Sequence, residues 1–152
     1  MKSTVVDTKP LLISLSELQR SKTGNRSLAK RFNKSDRIAL LEFLKNTERA
    51  WITPQVLAEV TTHISSDQIQ YKFFSTLLEQ PSFEDLEECY IRKSKLSDTG
   101  KVPEFGFTDI SIVETGREKD AEIITSDKSL LDYCQRTGLS SRHVESVYST
   151  WI

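Results

Sequence analysis

Three short apolar runs in this chain each lead straight into a helix-start signal, and that pairing constrains the fold more than any other feature. Ser3-Thr4-Val5-Val6-Asp7 precedes Thr8-Lys9-Pro10 and an apolar segment from Leu11 to Leu18. Ala50-Trp51-Ile52-Thr53 precedes Pro54, and Ala121-Glu122-Ile123-Ile124-Thr125 precedes Ser126-Asp127. Runs this short and this rich in β-branched residues suit covered strands rather than helices. Proline fits the first turn of a helix, where its missing N–H costs nothing. Strand then helix, repeated, predicts parallel strands joined by right-handed helical crossovers. The expected fold is α/β: a three-layer α/β/α sandwich with a short, mainly parallel central sheet, one domain over residues 1–152.

Other elements follow from caps and spacing. Residues 19–34 read as polar and basic, with a loop at Gly24-Asn25. Ser35 is placed to cap a helix from Asp36 to about Thr47, with Ile38, Leu41 and Leu44 inward. Thr53 caps a helix over 54–64 that buries Val56, Val60 and Ile64. Ser65-Ser66-Asp67-Gln68 resembles a capping box for a helix carrying Ile69, Phe73 and Leu77 and closed by Pro81. Residues 82–106 carry the weakest pattern, with a helix or strand around Leu86–Ile91 and a polar stretch beyond it. Thr108 is placed to cap a helix that turns Ile110 and Val113 inward. A short helix with Leu130, Leu131 and Tyr133 stops near Gly138, and 143–148 is expected as a last strand.

The length of 152 residues is enough to bury a core without disulfide or metal staples. No apolar run approaches the roughly 20 residues of a membrane span. Asp7 arrives before a signal-peptide core forms. Cys89 and Cys134 have neither metal-ligand nor redox-motif spacing. They are expected to be reduced and the protein cytoplasmic.

Asp7 and Asp127 close two strands and so fall at one edge of the expected sheet. Asp109 lies in the first turn of the helix feeding the second of these strands, and Glu59 flanks the apolar stripe of the 54–64 helix. Taken singly, Asp109 and Asp127 are ordinary helix caps. Together, four converging carboxylates would repel and resist ionisation unless a cation joined them. An all-oxygen set of this kind suits a hard divalent ion, Mg2+ or Mn2+. Such an ion activates water and stabilises a phosphoryl transition state, which points to phosphodiester hydrolysis.

Four patches together resemble the PIN-domain nucleases, a family of small metal-dependent ribonucleases. Val5-Val6-Asp7-Thr8 is similar to the family's first strand, and Ile52-Thr53-Pro54 through Val60 to its second strand and Glu-bearing helix. Phe107-Thr108-Asp109-Ile110 resembles the patch opening the next helix. Ile123 through Leu130 resembles the strand ending in Thr-x-Asp and the helix after it. The resemblance implies that Asp7, Glu59, Asp109 and Asp127 bind Mg2+ or Mn2+ and carry catalysis, with Thr8 and Thr125 supporting them. It implies an RNA substrate. Single-domain members often act as the toxin of a toxin–antitoxin pair and are often dimers inhibited by a small antitoxin. Lys9 stands where the family commonly has Asn or a small polar residue. It fits either substrate phosphate or a non-catalytic PIN-like scaffold that binds RNA or protein. A phosphotransfer domain would need a second acid close after Asp7, and Lys9 occupies that place.

The net charge of -1, from 21 basic and 22 acidic residues, conceals an uneven distribution. Residues 20–37 hold Arg20, Lys22, Arg26, Lys30, Arg31, Lys34 and Arg37 against Asp36 alone, leaving +6. A second stretch, 92–101, carries +3, and residues 79–88 offset both with -5. Basic segments at the mouth of an acidic site suit an RNA backbone. Lys9, Arg26, Lys30 and Arg31 are the expected contacts, and an acidic protein is the other partner that would fit. His63, four residues after Glu59, has no companion histidine nearby and reads as a surface residue.

Overall fold

A computed structural model describes residues 3–64 and 86–150. The capping box at 65–68 and the helix expected after it lie outside the described residues. Five strands form one sheet: β1 (Thr4–Val6), β2 (Ala50–Ile52), β3 (Leu86–Glu88), β4 (Glu122–Thr125) and β5 (Ser141–His143). Their order is β3-β2-β1-β4-β5, and every pairing is parallel. The helices are α1 (Thr8–Thr23), α2 (Lys34–Asn46), α3 (Pro54–Ile64), α4 (Lys93–Asp98), α5 (Val102–Lys119), α6 (Lys128–Arg136) and α7 (Val144–Thr150). The chain winds outward from β1 through β2 and β3, then returns to β1's other side for β4 and β5. Strand order therefore reverses between β1 and β4, where open parallel sheets leave a crevice at their carboxyl ends.

The layers follow from the alternation of side chains across the sheet. Val5 is in register with Ile123, and Val6 with Ile124. Ile124 packs with Ile13 of α1, Leu40 of α2 and Val144 and Val147 of α7. Ile123, on the opposite face, meets α5 so closely that a Cβ on Gly116 would lie 2.9 Å from its Cδ1. Glycine is what lets α5 approach β4, and this approach fixes the height of α5 on the sheet. Helices thus cover both faces, and the expected α/β/α sandwich is the observed fold.

Four local expectations change. Asn33, not Ser35, caps α2: its Oδ1 accepts the Ser35 amide at 2.9 Å. Ile38 is 41% exposed, because the inward stripe of α2 runs through Arg37, Leu40, Leu41 and Leu44. An arginine at an inward position hides that stripe from a purely apolar pattern. The stretch 143–148 is not a strand: β5 ends at His143, and Val144 and Val147 are buried at helical spacing on α7. Finally, the helix expected to open at Thr108 does begin just after a break, but a further helical segment precedes it. Helix α5 starts at Val102 and breaks at Gly106, whose φ of 85° and ψ of 168° leave the helical region. That φ suits glycine because it has no Cβ to clash. Asp109 keeps its expected place in the first turn after the break.

The 82–106 stretch resolves into β3 from residue 86, then α4 and the start of α5. Leu96, 1% exposed, anchors α4 to the core. Gly24 and Gly138 sit past helix ends with positive φ, as expected. Among the described residues, no helix is long and apolar enough to cross a membrane. Cys89 and Cys134 are buried and unpaired, and burial pushes the Cys134 thiol up to about 11.

Candidate active site

Asp7 follows β1 and caps α1, its Oδ1 accepting the Thr8 amide at 2.6 Å. Its Oδ2 accepts the Thr125 hydroxyl at 2.7 Å from the neighbouring strand β4. The same Thr125 oxygen accepts the Asp127 amide at 3.0 Å. One buried threonine therefore links the two acids that end β1 and the β4 turn. Asp127 caps α6, accepting the Ser129 and Leu130 amides at 2.9 and 3.3 Å.

Glu59 projects from α3, and its Oε2 accepts the Thr8 hydroxyl at 2.8 Å. Thr8 thus holds Glu59 towards α1. Thr53 caps α3 as expected, its Oγ1 accepting the Val56 amide at 3.2 Å. The same oxygen accepts Ser111 Oγ at 2.9 Å, which ties α5 and its Asp109 to the end of β2.

Asp7, Glu59, Asp109 and Asp127 line one cleft of about 430 Å³, together with Thr8, Lys9, Leu12, Arg31, Phe32 and His63. All four predicted acids are thus brought together. Thr8 and Thr125 make the bonds expected of supporting hydroxyls. Lys9 and Arg31 lie in the cleft, whereas Arg26 and Lys30 line a neighbouring basic pocket of about 340 Å³. A further cleft, sharing Asp109 and Asp127, is lined by Glu104, Asp132 and Arg136 as well.

The acids feel one another. Burial raises the Asp7 carboxyl, the Thr125 and Thr8 bonds oppose this, and the charges of Glu59 and Asp127 add to it. Asp109 is raised to about 7, first by burial and then by the charges of Asp7, Asp127 and Glu59. Among the described residues none of the four acids is in an ion pair. Their donor chemistry is all oxygen, the kind a hard divalent cation takes. As they stand, however, no group of three or more His, Cys, Asp or Glu side chains among the described residues is arranged to hold a metal ion. The donors fit Mg2+ or Mn2+ in kind and would have to turn inward to close on one, as mutually repelling carboxylates do when a cation arrives.

Three residues of the cleft, Leu12, Phe32 and His63, were not assigned to it in the sequence. Phe32 lines both the acidic cleft and the basic pocket. His63 lines the cleft with an exposed ring, and its carbonyl accepts Arg31 Nη1 at 3.2 Å. The spacing of Glu59 and His63, one turn apart on α3, was the available signal. Trp51 is buried and lies under Arg49 and Lys119, at 5.5 and 4.5 Å from the ring centroid, so it is a packing residue of the sheet.

No family model matches the chain, and no curated protein is detectably similar to it.

Proposed function

We propose that the chain is a divalent-metal-dependent endoribonuclease, of the kind implied by the resemblance to PIN-domain nucleases. One observation carries the reading: four carboxylates from separate elements share one cleft at the strand-order reversal, and among the described residues none of them is in an ion pair. Asp7, Glu59, Asp109 and Asp127 would hold Mg2+ or Mn2+. When bound, the ion supplies charge neutralisation and an activated water for attack at phosphorus. The chain's own groups prepare the rest. Thr125 and the Thr8 amide hold Asp7 in one orientation. Asp109, raised to about 7 by burial first and by the charges of Asp7, Asp127 and Glu59 second, is the acid whose ionised form a cation would relieve most plainly. Lys9 and Arg31 present cations in the cleft for the phosphates on either side of the reacting one. In the net reaction water adds to phosphorus, the P–O bond to the departing nucleotide breaks, and that oxygen takes the proton.

The test is cleavage of single-stranded RNA by wild type and Asp7→Asn, with Mn2+ or Mg2+ and with EDTA. Metal-dependent cleavage by the wild type, lowered on the order of 100-fold or more in the variant, is the expected result. Cleavage that survives Asp7→Asn would sink the residue assignment. Lys9 in the cleft favours a second reading, a non-catalytic scaffold that binds RNA or protein. Clear RNA binding with no cleavage of any RNA would select it.

A further inference from the structure

Beside the acidic cleft lies a pocket of about 340 Å³ lined by Arg20, Arg26, Lys30, Lys34 and Arg37, with Phe32 as the wall it shares with the cleft. The end of α1, the short 3-10 turn at Ala29–Arg31 and the start of α2 bring these cations together. Five like charges in one concavity repel, and the fold offsets part of this internally. Glu17 of α1, only 3% exposed, accepts Arg20 Nε at 2.6 Å and Arg37 Nη1 at 3.3 Å. The remaining charge faces the pocket. Arg37 is 8% exposed, and its Nε is buried with no hydrogen-bond partner. Leaving a buried guanidinium donor unpaired costs free energy that an arriving acceptor recovers. Arginine forks match phosphate oxygens in pairs, which lysine does not.

We propose that this pocket seats a non-reacting phosphate of a single-stranded nucleic acid whose adjacent nucleotides cross Phe32 into the acidic cleft. The inference rests on the nuclease reading of that cleft and adds where the strand is held. Two features favour a nucleotide over an acidic peptide. The wall between pocket and cleft is an aromatic side chain, on which a base stacks. The lining mixes three guanidinium groups with two ammonium groups, the pairing of directional and diffuse cations that phosphate recognition uses.

The first experiment follows the Arg37 Nε–H signal by NMR while inorganic phosphate, a short single-stranded RNA and an oligoglutamate peptide are added in turn, with EDTA present. The signal is expected to move with phosphate and with RNA. A signal that moves only with oligoglutamate, or with none of the three, would overturn the proposal. The second measures RNA binding by fluorescence anisotropy for wild type and Arg26→Gln/Lys30→Gln, two exposed positions whose change leaves the core intact. The double variant is expected to bind about 10-fold more weakly. Its slope of log affinity against log salt should flatten by about 0.7, the loss of one phosphate contact on a single strand. Unchanged affinity and slope would overturn the proposal even if the protein cleaves RNA. Weakened binding in a protein that never cleaves RNA would uphold the pocket and remove the nuclease reading, so the two fail separately.

Discussion

The two sides of Phe32 handle clustered charge differently. On one side, Asp7, Glu59 and Asp127 are bonded to hydroxyls and amides, and among the described residues none of the four acids, Asp109 included, is in an ion pair. On the other, Arg20 and Arg37 close on Glu17, a counter-charge that the chain itself supplies. Like charges raise the energy of the fold unless something neutralises them. The basic pocket carries part of its neutraliser within the core. The acidic cleft has Lys9 and Arg31 in its lining, but among the described residues neither is in an ion pair with any of the four acids. On the reading proposed above the cleft takes up an ion, while Glu17 partly satisfies the pocket before any ligand arrives.

The comparison breaks most visibly if the basic side loses its internal counter-charge. Glu17→Gln leaves buried Arg37 without its ionised partner, and removing one member of a buried pair costs about 3–5 kcal/mol. The expected result is a large drop in the urea midpoint, partly restored by millimolar inorganic phosphate. An unfolding free energy lowered by less than about 1 kcal/mol, the worth of a surface pair, would show that Glu17 does not balance the pocket.

The acidic side should respond in the opposite sense, to an addition rather than a removal. Mn2+ at about 100 times its dissociation constant stabilises a folded state that alone binds it by roughly 2.7 kcal/mol. For a chain of this size that corresponds to an upward shift of the melting temperature by roughly 5–10 °C. Asp7→Asn/Asp127→Asn should remove the response. A melting temperature indifferent to Mn2+, Mg2+ and both substitutions would mean that the four acids do not form a cation site.

Much of this division was legible in the chain. Strand-then-helix punctuation placed Asp7, Thr53 and Asp127 correctly because each ends a strand and starts a helix, where composition and geometry coincide. Topology brought Asp7 and Asp127 together, since parallel strands put their carboxyl ends at one edge, while Glu59 and Asp109 followed from their places on the helices after β2 and before β4. The basic run at 20–37 was visible as charge, but its partition was not. Arg31 enters the cleft while Arg26 and Lys30 turn to the pocket, which depends on a single turn of 3-10 helix at Ala29–Arg31. Glu17 and Arg37 were missed because a buried ion pair places polar residues on the inward faces of two helices. The apolar-stripe rule excludes such residues, and the same rule put Ile38 inside. The Glu17-x-x-Arg20 spacing, one turn of helix, was the only local trace of the pair.

A smaller effect tests whether hydroxyls alone can hold the acidic side. Thr125→Val keeps the shape of a fully buried side chain but removes the bond to Asp7 Oδ2 and the acceptor for the Asp127 amide. A hydrogen bond to a charged group contributes about 1.5–3 kcal/mol, so a loss of about 2 kcal/mol is expected at pH 8 in EDTA. The bond favours the ionised carboxylate and opposes the burial that raises it. The loss should therefore shrink in acid, where Asp7 is protonated. Thr125→Ser, which retains the hydroxyl, should recover most of it. An equal loss for Val and Ser would point to packing instead of the bond.

The least of these effects, and the one with a definite sign, is the pH dependence set by Asp109. Its carboxyl has an ordinary value of 3.8 and rises to about 7 in the folded protein, from burial first and the neighbouring acids second. The folded state therefore holds this proton more tightly than the unfolded chain. The resulting stabilisation is fully present below about pH 3.8 and is lost as pH rises through about 7. Wild type in EDTA should lose about 1 kcal/mol between pH 5 and pH 8 on this account, a figure reduced because Asp109 is only half-buried. Asp109→Asn, neutral throughout, should flatten this part of the profile and be the more stable protein at pH 8. Saturating Mn2+ should flatten the wild-type profile without any substitution, because a bound cation favours the same ionised state that the neighbouring carboxylates oppose. If urea midpoints of Asp109→Asn and wild type ran parallel from pH 5 to pH 8, the clustering of charge in the cleft would be too weak to call for an ion.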